Sequence, residues 1–294
     1  MSTTSPPASR PPLNRFQILA LVTVLATLLL IFVGGLVRAS GAGLGCPDWP
    51  KCFGVWIPPT TAADLPPGWD PAQFNPLHTW MEYVNRLVGV VIGLLITATM
   101  LVSFTHARRD PILPVASAAS FILVLFQAWL GGQVVRSGLA GGMITLHMLL
   151  AMVIVNLLLY AAWRGWKDRL RADLAEEDRR VLRRALIALL ALTLVQMVLG
   201  TQVREMIDAV KNGPTYVPRE LWLDTESTLF VVHRSGSWAV LLLSGFFWWR
   251  ARKTALPTWA RRMADGVFAM VLLQIALGVG LERLGMPGTM QVLH

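Results

Sequence analysis

Long runs without a charged residue punctuate the chain. Ile18 to Val37 contains none, and Leu87 to Phe104, Ile112 to Val135, Ser137 to Trp163 and Ala185 to Val203 are equally clean. An α-helix rises about 1.5 Å per residue, so roughly 20 apolar residues cross a hydrocarbon core of about 30 Å. Each of these five runs predicts a membrane-spanning helix. Ser235 to Trp249 and Gly266 to Leu281 are shorter, and reach spanning length by recruiting Ser227 to His233 and Met263 to Asp265. An eighth span is predicted to begin near Met290 and to be cut off by the chain end, with part of that helix missing. The first run is too long for a signal-peptide core of about 7–15 residues and no A-x-A site follows it, so it reads as a permanent helix.

Composition supports this picture. Of 294 residues, 54% are hydrophobic and 15% charged, against about 25% charged in a soluble domain. The net charge of +9 is unevenly placed. Arg10 and Arg15 precede the first span, Arg108 and Arg109 follow the second, and Arg164 to Arg184 is densely basic. Arg250, Arg252, Lys253, Arg261 and Arg262 follow the sixth. In an alternating topology all these segments fall on one side, which the positive-inside rule makes cytoplasmic. The charge therefore reports orientation in an inner (plasma) membrane and needs no nucleic acid to explain it. The expected organisation is a cytoplasmic tail (1–15), a first four-helix bundle (16–165) with an external loop (38–78), a basic linker (166–184) and a second four-helix bundle (185–294).

Both cysteines lie in that external loop, in C-P-D-W-P-K-C. An oxidising compartment favours a Cys46–Cys52 disulfide closing a tight loop, with two unpaired thiols as the alternative. Two cysteines without a nearby histidine pair fall short of a zinc site.

The two halves repeat. Gln127-Ala-Trp-Leu-Gly131 precedes His147 as Gln274-Ile-Ala-Leu-Gly278 precedes His294, and both Gln-to-His separations are 20 residues. Asn85-Arg86 stands 62 residues before His147, and His233-Arg234 stands 61 before His294. Four spans per half make this a parallel repeat. Glu82, Asn85, His147, His233 and His294 then fall in the first turns of helices that all start on the external side. Ionisable groups at membrane depth are costly and point to function. Imidazoles facing each other across a helical bundle suit haem iron. His233 pairs with His294, and position 85 pairs with His147. The glycine pairs Gly131-Gly132 and Gly141-Gly142 fit close approach of helices and a flat macrocycle, or ordinary helix packing. Arg86 and Arg234, each next to a ligand position, fit haem propionates or snorkelling to the interface.

The loop G-A-G-L-G-C-P-D-W-P-K-C, E-x-x-N-R at Glu82 to Arg86, T-L-H-M-L-L-A around His147, V-V-H-R around His233 and Q-V-L-H at His294 resemble the haem A synthase family, from about Leu36 to the end. The resemblance implies eight transmembrane helices in two pseudo-symmetric four-helix bundles. It implies oxidation of a haem O ring methyl to the formyl group of haem A, for cytochrome oxidase. It maps a haem b onto His233 and His294, the substrate haem onto position 85 and His147, and the family's helix-2 glutamate onto Glu82. The family's cysteine pair falls on Cys46 and Cys52. Asn85 departs from the pattern, since many members carry histidine there. His78 shares a helix face with Glu82 and Asn85 if the helix starts early enough, and is either a substitute ligand or an interfacial residue. His106 reads as interfacial.

A substrate iron without a strong second ligand leaves room for reaction at the neighbouring methyl. Two hydroxylations give a gem-diol, which loses water to leave the aldehyde. Glu82 would handle protons or stabilise a cationic intermediate, and the haem b would relay electrons from a membrane donor such as a quinol. Haem O synthase is the expected supplier of substrate. Two other classes are compatible: a di-haem b-type electron-transfer membrane protein, and a haem-handling assembly factor without catalysis. Glu82 argues against the first, because its repeat counterpart is the apolar Phe230.

Overall fold

The computed structural model describes residues 13–167, 170, 172–211 and 213–294. Arg10 of the basic tail, and Asp168, Arg169 and Arg171 of the basic segment, lie outside the described residues. The described chain is all-helical: α1 Arg15–Ala39, α2 Pro76–Phe104, α3 Ile112–Arg136, α4 Gly141–Trp166, α5 Glu176–Lys211, α6 Thr228–Lys253, α7 Thr258–Arg283 and α8 Gly288–Leu293. Seven of these, α1 to α7, are long and apolar enough to cross a membrane. The chain is thus a multi-pass membrane protein.

Local chemistry sets the helix starts. At α1, Gln17 N–H donates to Asn14 Oδ1 (2.8 Å) while Asn14 N–H donates to Gln17 Oε1 (3.0 Å), a reciprocal cap that satisfies two orphan donors. At α2, Pro76 occupies the first helical position, where a missing N–H costs nothing, and His78 N–H donates to Asn75 Oδ1 at 3.1 Å. Glu176, Glu177 and Asp178 open α5 and Lys211 closes it, matching the helix dipole. That charge placement explains why α5 starts inside the segment expected as linker and runs well beyond the apolar stretch Ala185 to Val203.

The chain divides into two compact units. One comprises Phe32–Asn85, Leu130–Leu149 and Arg171–His294. Within it, Leu182, Ala185, Phe247, Ala251 and Ala264 form one buried cluster, and Val203, Ile207, Phe230 and Met286 a second. The Cys loop has its own core of Cys46, Cys52 and Phe53, covered by Trp69 and Phe74.

The other unit comprises Met1–Ile31, Arg86–Trp129 and Leu150–Leu170. Its centre is Val24, Ile92, Ile96, Ile154 and Leu158. Lipid is as apolar as these side chains, so fit and small polar groups carry helix association in a bilayer. Thr23 and Thr99 share a buried hydroxyl–hydroxyl bond of 2.8 Å between α1 and α2. At the end of this unit, Asp110 is buried and receives Arg164 through Nε (2.9 Å) and Nη2 (2.5 Å), and Lys167 Nζ at 2.9 Å. The bidentate guanidinium, with Lys167 beside it, holds the Asp110 carboxyl down at about 2, below its ordinary 3.8. The folded protein therefore keeps Asp110 ionised where the unfolded chain already binds a proton. Its stabilisation is complete above pH about 4 and disappears as pH falls towards about 2. In detergent, Asp110→Asn should lower the thermal midpoint at neutral pH, and the gap to the parent should close across that acid window.

Candidate functional site

The Cys loop is tied to the first turns of α2. Thr79 Oγ1 donates to Gly45 O at 2.9 Å, and Cys46 N–H donates to Glu82 Oε2 at 2.8 Å. Glu82 is only 5% exposed. The carboxylate expected to handle protons thus also anchors the loop. A Cβ at Gly45 would overlap the carbonyl of His78, so glycine lets the loop backbone lie directly on the helix. The Cys46 and Cys52 sulfurs are at bonding distance, 2.01 Å. Midway round that ring, three residues from each cysteine, Trp49 seats on α3: a Cβ at Gly132 would come within 2.8 Å of its indole.

Three imidazoles share one local design. Each lies against a glycine of a neighbouring helix. His147 Cε1 is 3.3 Å from where a Gly131 Cβ would stand, His233 Cε1 is 3.1 Å from that of Gly200, and His294 Cε1 is 3.0 Å from that of Gly278. Each glycine follows a glutamine by four residues: Gln127, Gln196 and Gln274. For His294 the purpose is visible. Its Nδ1 lies 3.0 Å from the Gln274 carbonyl, which can only accept, so Nδ1 carries the hydrogen and Nε2 the lone pair. An outer hydrogen bond of this kind fixes the tautomer and aims a metal ligand. Gln196 Nε2 donates to His233 O (3.1 Å), and Gln274 Nε2 to Leu293 O (2.9 Å).

His233 and His294 face each other with ring centroids 6.3 Å apart and planes at 87°. Two imidazole nitrogens bound to one metal from opposite sides, at about 2 Å each, set the centroids roughly 6 Å apart. The pair therefore fits a single metal atom held between trans imidazoles, as in bis-histidine haem. Among the described residues no group of three or more His, Cys, Asp or Glu could hold a metal ion.

The other predicted residues fall as follows. Asn85 is half-buried, with Oδ1 buried and without a hydrogen-bond partner among the described residues. Because α2 begins at Pro76, His78, Glu82 and Asn85 do share a helix face. His78 itself packs at the Gly41 turn. Arg234 engages Glu282 (3.2 Å) and lies over the Phe230 ring. Arg86 lies on α2 next to Asn85. His106 is 5.5 Å from the Phe16 ring, remote in sequence from the other histidines. Of the glycine pairs, Gly131, Gly132 and Gly141 take close approaches, Gly141 to the Glu205 carboxylate, whereas Gly142 meets nothing within 4 Å.

These features describe a multi-pass helical membrane protein in which two imidazoles lie with ring centroids 6.3 Å apart. The chain belongs to the COX15-CtaA family of cytochrome oxidase assembly proteins, whose profile matches residues 17–294. It is similar to Heme A synthase of Shewanella oneidensis, 24% identical with 93% of this chain and 89% of the relative covered. Heme A synthase of Nitrosomonas eutropha is 25% identical, covering 90% and 84%. That of Dinoroseobacter shibae is 27% identical, covering 90% and 79%.

The glycine contacts give a paired expectation. Gly132→Ala forces Trp49 from its seat and should destabilise the protein by about 1–3 kcal/mol. Gly34→Ala meets nothing within 4 Å and should leave the midpoint unchanged or raise it, since alanine improves helix propensity by up to about 1 kcal/mol. Thermal unfolding in detergent compares the two.

Proposed function

We propose that the chain is a haem A synthase, oxidising a ring methyl of haem O to a formyl group for cytochrome oxidase. The observation that carries the reading is the His233–His294 pair at 6.3 Å, set in a family whose relatives with nearly full-length matches are named for haem A synthesis. In this reading the two halves are pseudo-symmetric four-helix bundles. The Cys loop is external, the N-terminus cytoplasmic, and the membrane is the inner one.

His233 and His294 hold a haem b, which supplies one-electron redox chemistry when bound. Its electrons come from a membrane donor such as a quinol, and haem O arrives from haem O synthase. His147, backed by Gly131, holds the substrate haem from one side. Asn85 stands in the repeat position of His233, and its neutral amide is a weak ligand at best. The two sites thus differ in kind: one is closed by two imidazoles, and the other keeps a labile side where the substrate is oxidised. Arg86 and Arg234, each next to a ligand position in the chain, are the partners assigned to the haem propionates in this reading. With dioxygen as the oxidant, each of two successive hydroxylations of the methyl consumes one O2, two electrons and two protons and releases one water. The resulting gem-diol loses water to leave the aldehyde, and Glu82 receives or returns the protons. Its counterpart Phe230 can do neither, so the chemistry belongs to the first half.

Glu82→Gln keeps an oxygen that accepts from Cys46 N–H but removes the ionisable group. The variant should retain haem b and accumulate haem O without haem A, read by chromatography of extracted haems. Haem A production by Glu82→Gln together with its loss in Glu82→Ala would reduce Glu82 to a loop anchor. Haem A in both variants would remove it from the reaction altogether. His233→Ala should abolish the haem b spectrum of the purified protein.

A further inference from the structure

The second imidazole pair is supported by a feature that neither the histidines nor the repeat announces. On α5, Gln196, Gly200, Arg204 and Asp208 follow one another at intervals of four and so stack along one face of the helix. Each has a different task. Gln196 Nε2 donates to the backbone carbonyl of His233 at 3.1 Å. Gly200 lacks the side chain that would strike the His233 ring. Arg204 Nη1 donates to Gln291 Oε1. Asp208 pairs with Arg204 Nε through Oδ1 at 3.1 Å, and with Arg38 Nη2 through Oδ2 at 2.8 Å.

Gln291 is the link to the second ligand. It lies on α8 three residues before His294, on the same helical face. Its amide is held at both ends, because Nε2 also donates to Met286 O at 2.6 Å. Met286 belongs to the turn between α7 and α8, where Gly285 (φ 64°) and Met286 (φ 58°) are both left-handed. With its side chain gripped by Arg204 on one side and by the turn on the other, Gln291 fixes the rotation of α8 about its axis. That rotation decides where His294 points.

We propose that Arg204 is a positioning residue for the His233–His294 metal site. It acts through Gln291 to aim His294, and its charge, shared through Asp208 with Arg38, tunes the potential of the iron. The inference rests on the reading that a haem b is held between these two histidines. Two guanidiniums against one carboxylate leave one positive charge. The groups are only 21–28% exposed, so their field is less screened than that of a surface pair. Net positive charge near the iron favours the reduced state, which carries one positive charge less.

The test uses the purified full-length protein, with potentiometric titration of the haem b and electron paramagnetic resonance of its ferric form. Arg204→Gln should lower the midpoint potential, and Asp208→Asn, which leaves both arginines uncompensated, should raise it. Opposite shifts from adjacent residues are not produced by general loosening. Gln291→Leu leaves the charges in place and should alter the resonance positions, which report imidazole orientation, with little change in potential. Arg204→Lys restores the charge but not the planar fork, so its potential should return towards the parent while the altered resonance remains. Shifts of the same sign in Arg204→Gln and Asp208→Asn, or none in haem-loaded protein, would overturn the electrostatic part. A Gln291→Leu spectrum identical to the parent would overturn the route through Gln291. Absence of haem b from the parent protein, or its retention in His233→Ala, would instead defeat the underlying site assignment.

Discussion

The edge of an imidazole can approach the backbone of a neighbouring helix this closely only where that helix has no side chain. Much of the site in this protein follows from that constraint. Gly131, Gly200 and Gly278 each give up a Cβ so that His147, His233 and His294 can approach the backbone. The same approach brings His294 Nδ1 within reach of the Gln274 carbonyl one turn earlier. The hydrogen bond then settles which nitrogen keeps its lone pair. One missing methyl group therefore controls distance, orientation and tautomer together.

α5 organises the neighbourhood of these pairs. One face carries Gln196, Gly200, Arg204 and Asp208. The adjacent one docks α4 through the Thr201–Thr145 hydroxyl bond of 3.0 Å and the Glu205 carboxylate against Gly141. Gly141 opens α4, and a carboxylate there complements the positive end of the helix dipole. His147 is two residues beyond Thr145. The helix that cradles the His233 ring thus also registers the helix bearing His147. Placement of Phe32–Asn85, Leu130–Leu149 and Arg171–His294 in one compact unit follows from such contacts.

Most of the architecture was legible in the sequence because spanning helices depend on local composition. Seven charge-poor runs became seven long helices, and the Cys46–Cys52 spacing anticipated sulfurs at bonding distance. The matching seats of His147 against Gly131 and of His294 against Gly278 follow the repeat, which compares the chain with itself. Four things were not legible. The acidic start of α5 at Glu176 sat inside a segment whose basic charge masked its helical character. The second role of Glu82 depends on Cys46 N–H, 36 residues away, and no period in the sequence announces such a contact. The Gln-x-x-x-Gly spacing occurs before all three imidazole contacts, at Gln127, Gln196 and Gln274. Only two of the three lie in repeat register with one another, so the repeat does not mark Gln196. The links from Asp208 to Arg38 and from Arg204 to Gln291 join residues 170 and 87 apart in the chain, which no local pattern marks.

The burial of the Cys46–Cys52 bond has a consequence for its lifetime. Exchange requires a thiolate to reach a disulfide sulfur, yet Cys46 is 0% and Cys52 1% exposed beneath Phe53 and its aromatic neighbours. Small-molecule reductants can attack only when the loop lifts from α2, which breaks the contacts at Thr79 and Glu82 as well. The bond behaves as a staple whose turnover is limited by opening of the loop, and the ambient thiol balance becomes secondary.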